Sequence, residues 1–111
     1  MPDEQTPPVP SSAARVWVQF RDMIFERMDA IDAAVIALRD GALSQEVRQK
    51  GVLEAHRMAG SLGMFGLAEG TRIAREIEHG LAGDAPTGPE ISAHLVASAA
   101  ALRKILERGP V

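Results

Sequence analysis

From Ser12 onward the apolar residues recur with a helical period. On a wheel of about 100° per residue, Val16, Phe20, Met23, Ile24, Ile31, Val35 and Leu38 fall on one stripe, and Gly41 marks a stop. Val18, Phe25 and Ile36 form a second ridge off that stripe. This first helix is therefore either covered on two sides or offers a ridge to a partner. A second helix is predicted over about 45–65, with Ser44 as its N-cap and Gly66 ending it in a left-handed conformation. A third runs from about Leu67 to Leu81. It carries Leu67, Ile73, Ala74, Ile77 and Leu81 on one side and Arg72, Arg75, Glu76 and His79 on the other. After the loop "AGDAPTG", Thr87 and Glu90 stand at capping-box spacing with Pro89 in the first turn. The fourth helix, about 89–108, aligns Ile91, Leu95, Ala99, Leu102 and Leu106, and closes on Arg103, Lys104 and Arg108, cations suited to a helix C-terminus.

No stretch alternates with period two, and no internal repeat occurs. Four amphipathic helices on short loops predict an all-α fold, an antiparallel four-helix bundle of up-down-up-down order and elongated shape. Residues 1–12, "MPDEQTPPVPSS", hold four prolines and almost no large apolar side chain, which predicts a flexible tail ahead of a helical domain at 13–111.

The second helix has two unlike faces. Val47, Gly51, Ala55, Met58, Leu62 and Phe65 cluster within roughly 80° as its core face. His56 points the other way, among Gln49, Val52, Leu53, Ala59, Gly60, Gly63 and Met64. That outer set lacks formal charge and is bare beside the imidazole, although each interior glycine costs roughly 1 kcal/mol relative to alanine. Either Gly60 and Gly63, flanked by Ala59, clear space for another protein to approach the ring, with Val52, Leu53 and Met64 as apolar contacts, or they let a neighbouring helix pack tightly.

Composition narrows the chemistry. The net charge of −3 shows no basic face for nucleic acid. The absence of cysteine excludes disulfides and thiolate metal sites, and no apolar run approaches the roughly 18 residues of a membrane span. A soluble, cytoplasmic protein is expected. His56, His79 and His94 are scattered over three helices and form no metal site at recognisable spacing. His79 suits a helix C-terminus, and His94, flanking the apolar stripe, is expected to be partly buried. A neutral histidine keeps one nitrogen lone pair that attacks acyl or phosphoryl groups. Around His56 there is no phosphate-cradling glycine loop with lysine, no paired carboxylates and no second ligand at i+4. Such a residue makes a poor general enzyme and a good carrier, if a partner brings the activated phosphoryl group and the metal.

"AHRMAGSLGMFGL" followed by "AREIE" resembles the histidine-containing phosphotransfer (HPt) domain of two-component phosphorelays: Ala55, His56, Met58, Gly60, Gly66, Leu67 and the pair Ile77–Glu78 fall on the family pattern. The resemblance implies a phosphoacceptor His56, usually modified at Nε2. It implies exchange with the aspartate of a response-regulator receiver domain that holds the Mg²⁺, and phosphoryl supply from a sensor or hybrid histidine kinase, with no cofactor of the domain's own. Gly60 matches the position that leaves room for the phosphoryl group and receiver loops. Where many members place a lysine, three residues after the histidine, this chain has Ala59, and Arg57 lies about 100° round the helix. Partner docking is expected at Val52, Leu53, Arg57 and Met64. Arg72 and Arg75 are either a solvated face or an aid to the phosphoryl charge. Two other readings stay open: an adaptor that docks a receiver or kinase without being phosphorylated, and an unrelated dimeric bundle joined through Val18, Phe25 and Ile36.

Overall fold

The helix boundaries follow local capping chemistry. In a computed structural model that describes residues 12–110, four helices follow one another: α1 (Ser12–Arg39), α2 (Gln45–Met64), α3 (Ala68–Leu81) and α4 (Pro89–Arg108). Ser44 is extended (φ −76°, ψ 160°), and its hydroxyl accepts from the Val47 amide at 3.1 Å, relieving an orphan donor of the first turn. Gly66, at φ +72°, reverses the chain after α2. Its amide donates to the Gly63 carbonyl at 3.2 Å and that of Leu67 to the Leu62 carbonyl at 2.9 Å. This pair of bonds is a Schellman closure, which needs a left-handed residue that glycine adopts without strain.

The start of α4 differs from the capping box expected at Thr87. The N-cap is Gly88, with φ 143°, and no side chain caps it. Pro89 has no amide to offer a cap and fixes the first helical φ, so the turn is made at the glycine and Thr87 stands one residue too early. Ser92 satisfies the Gly88 carbonyl with both its amide (2.9 Å) and its hydroxyl (3.0 Å).

Each helix packs against its neighbours in a closed ring: α1 on α2 and α4, α3 on α2 and α4. Ile24, Met28, Ile31, Met58, Leu62, Ile77, Leu81 and Leu102 meet in the centre with no exposure. At one end Trp17 is buried and set edge-on to Phe65, ring centroids 5.0 Å apart. Arg103 ties α4 to α1 through Asp29 (2.8 Å) and Asp32 (2.5 Å), and its guanidinium lies 5.9 Å over the Phe25 ring. That position separates the second ridge of α1: Phe25 is half-buried at the core margin, while Val18 and Ile36 are exposed. The predicted main stripe divides as well. Ile24, Ile31 and Val35 are buried, whereas Val16, Phe20 and Met23 are exposed. With 28 residues, α1 is about 42 Å long, against 20 residues in α2. The tail expected at 1–12 lies outside the described residues, except Ser12, which opens α1. Among the described residues no helix is long and apolar enough to cross a membrane.

Candidate functional site

The outer face of α2 is built largely as its pattern predicts. Gln49, Leu53, His56, Arg57, Gly60, Gly63 and Met64 are exposed, Met64 at 86%. Val52 is half-buried against the core margin. Ala59 departs from expectation, for it is buried. Three residues on from His56, it turns by about 60° toward α3, whose Thr71 hydroxyl donates to the Ala59 carbonyl at 3.2 Å. Ala59 therefore belongs to the α2–α3 contact rather than to the open strip.

His56 stands outward with its side chain 71% exposed, and Nδ1 lies 3.0 Å from Oε2 of Glu78, itself 21% exposed. A carboxylate only accepts, so Nδ1 donates, and in a neutral ring Nε2, the nitrogen farther from the backbone, is then the one with the lone pair. Sequence reasoning found no carboxylate beside this histidine. Glu78 arrives from α3, 22 residues away, and only the antiparallel α2–α3 hairpin brings it there. The one signal present was its place in the Ile77–Glu78 pair.

The glycines are cleared toward solvent. A Cβ built on Gly60 meets nothing within 4 Å, and one on Gly63 meets only the Thr71 hydroxyl, at an ordinary 3.8 Å. Tight helix packing, the other explanation for these two glycines, occurs elsewhere: a Cβ on Gly51 would lie 2.5 Å from that of Ala34. On one side of His56 a shallow depression is lined by Gln49, Val52, Leu53, Glu78 and Gly83. Toward the other end of α2, Met64 joins the exposed Val16, Phe20 and Met23 in a cleft. The α1 residues of that apolar surface had been expected to face inward.

The charged groups nearby are mostly committed. Arg57 donates to Glu54 at 3.0 Å; Glu54, nearly buried, also pairs with Arg27 at 3.6 Å, and Arg27 reaches Ser61 at 3.0 Å. Arg57 is thus turned along its own helix. Arg72 is held by Glu69 (2.6 Å) and Glu76 (3.0 Å), and its hydrogen bond holds the Glu69 carboxyl below the usual range. Glu76 is also lowered, first by a hydrogen bond from His94 and further by the Arg72 charge. His94 is consequently not the partly buried packing residue expected. Its side chain is 64% exposed, and Nε2 is bound to Glu76 across the α3–α4 contact. His79 is exposed.

A family model described as "Hpt domain" matches residues 15–108. No curated protein and no solved structure matched the chain.

Proposed function

Because the chain belongs to the Hpt domain family, whose members pass phosphoryl groups through histidine in phosphorelays, we propose that His56 is the phosphoacceptor and that it exchanges the group with the aspartate of a response-regulator receiver domain. The observation that supports this most directly is the outward imidazole with Nδ1 held by Glu78, one helical turn before a Gly60 that faces open space.

The step balances without a base. The Nε2 lone pair attacks the phosphorus of an aspartyl phosphate. The N–P bond forms, the P–O bond to the carboxyl breaks, and the aspartate leaves as carboxylate. Nε2 has no proton to lose. The ring becomes an imidazolium, and its charge is met through Nδ1–H by Glu78, a charge-assisted hydrogen bond. Reversal returns the group to a receiver. In this reading the receiver supplies the Mg²⁺ and a sensor or hybrid kinase the original phosphoryl group. The chain acts in the cytoplasm as a carrier rather than as an enzyme. Docking falls to Val52, Leu53, Arg57 and Met64, with Gly60 and Gly63 giving the receiver backbone room to close on the ring.

Incubation with a ³²P-labelled phospho-receiver and Mg²⁺ tests the proposal. The expected result is label on the chain that is acid-labile and alkali-stable, and absent from His56→Gln. Binding of the receiver without label on the wild-type chain would instead support the unphosphorylated adaptor.

A further inference from the structure

A phosphoryl group on Nε2 brings between one and two negative charges to a place where Glu78 already supplies one, and no cation of α2 is turned toward it. Arg57 is bound to Glu54, position 59 is a buried alanine, and Arg48, which lines the same depression as His56, spends its guanidinium on the Leu81 carbonyl at 2.7 Å. The α2–α3 register shows where a cation stands instead. Gly63 faces Thr71, and His56 faces Glu78. The two helices are antiparallel, so four residues back from Gly63 and four on from Thr71 set Ala59 level with Arg75. Thr71, Arg75 and Glu78 fall within about 60° of arc on α3, on the ridge that borders α2. Arg75 is exposed, and among the described residues it has no hydrogen bond or ion pair. Its neighbour Arg72 is held by two glutamates.

We propose that Arg75 is the residue that meets the phosphoryl oxygens on His56, reaching across from α3 to the level of Ala59 and Gly60. Its long stem suits that reach, and a guanidinium can give two parallel N–H bonds to phosphoryl oxygens. The inference rests on His56 being the phosphoacceptor, and it divides the site between two helices: α2 supplies the nucleophile and the clearance, α3 the counter-charges for imidazolium and phosphoryl group.

Phosphoramidate tests this with no partner protein present. The Nε2 lone pair attacks its phosphorus, a new N–P bond forms, and ammonia leaves with the old one. Arg75→Ala should slow this phosphorylation about 10-fold, the scale of one lost charge-assisted contact. Arg75→Lys should recover part of the rate, and Arg72→Ala should leave it unchanged. In the wild-type chain the Arg75 Nε–H resonance should shift on phosphorylation, a change that a purely structural role would not produce. A wild-type rate in Arg75→Ala, with an unmoved Arg75 resonance, overturns the proposal while leaving His56 as acceptor. Absence of phosphohistidine in the wild-type chain itself would remove the acceptor reading, and this one with it. Circular dichroism of each variant separates either result from loss of fold.

Discussion

Two histidine–glutamate pairs cross between helices of this bundle, and they are built in opposite senses. His56 gives Nδ1 to Glu78 and keeps Nε2, while His94 gives Nε2 to Glu76 and keeps Nδ1. Their exposures, 71% and 64%, hardly differ. The remaining nitrogen does differ. Nε2 lies at the far edge of the ring, whereas Nδ1 sits next to the carbon that joins the ring to the helix, where an incoming group meets the histidine's own backbone. The partners differ too. Glu76 is shared with Arg72, while Glu78 serves His56 alone among the described residues. Four residues after His56 comes the open Gly60; four after His94 comes Ser98, which is buried. On the proposed reading, an exposed histidine with a carboxylate partner is not enough to make a nucleophile. That reading turns on which nitrogen is left over and on the open glycine one turn further along.

The sharpest way to break this comparison is to exchange the losses. His56→Gln should abolish phosphorylation, while His94→Gln should keep at least half of the wild-type label, read as acid-labile ³²P after incubation with a phospho-receiver. Label that survives the first substitution and vanishes in the second would reverse the assignment. Next in size is the clearance. Gly60→Leu should leave the helical circular dichroism intact and slow transfer on the order of 100-fold, the cost of misplacing reacting groups by about 1 Å. Gly60→Ala should raise stability by about 0.5–1 kcal/mol, since a helical glycine is given up and its Cβ meets nothing. Gly51→Ala, with its Cβ 2.5 Å from that of Ala34, should lower stability. Urea midpoints of the two alanine variants moving in the same direction would contradict the division between open and packed glycines.

Much of this architecture was legible before any coordinates, because it rests on local rules. Ser44 and Gly66 cap where their chemistry permits, and the wheel put His56 opposite Met58 and Leu62 by period alone. What escaped depends on neighbours. Val16, Phe20 and Met23 border a cleft with Met64 and Phe65 that the packing of α1 on α2 leaves open, which no single helix records. Ala59 lies near the border of two faces, and the approach of α3 decided its side. Glu78 stood out only as half of the Ile77–Glu78 pair, and His94 as a residue flanking an apolar stripe. Their partners are set by inter-helix register, and a shift of one residue would separate both pairs.

The tautomer of His56 can be tested directly. In the wild-type chain, ¹⁵N shifts of the imidazole should show the proton on Nδ1. Glu78→Gln keeps the shape of the partner but removes the charge that meets the imidazolium, and an amide can turn its NH₂ toward the ring and favour the opposite tautomer. Transfer should fall about 10-fold, the equivalent of roughly 1.4 kcal/mol, with label still confined to His56. An unchanged rate together with an unchanged tautomer would show that Glu78 neither orients the ring nor stabilises its charge.

The smallest effect belongs to the other pair, and it concerns stability rather than transfer. The Glu76 carboxyl is held below its ordinary value of 4.5, chiefly by the His94 hydrogen bond. A carboxyl whose folded pKa is depressed adds stability that is complete above the unfolded value and is lost as pH falls through the folded one. Both side chains are substantially exposed, so solvent screening keeps the contribution below about 1 kcal/mol. Urea unfolding should therefore find His94→Gln less stable than wild type by a few tenths of a kcal/mol at about pH 6, with the gap closing as pH falls below the ordinary carboxyl value of 4.5 and Glu76 takes up a proton in both chains. An equal deficit at both pH values would show that His94 contributes through packing instead. In that case the two histidines would differ by more than which nitrogen each gives to its glutamate.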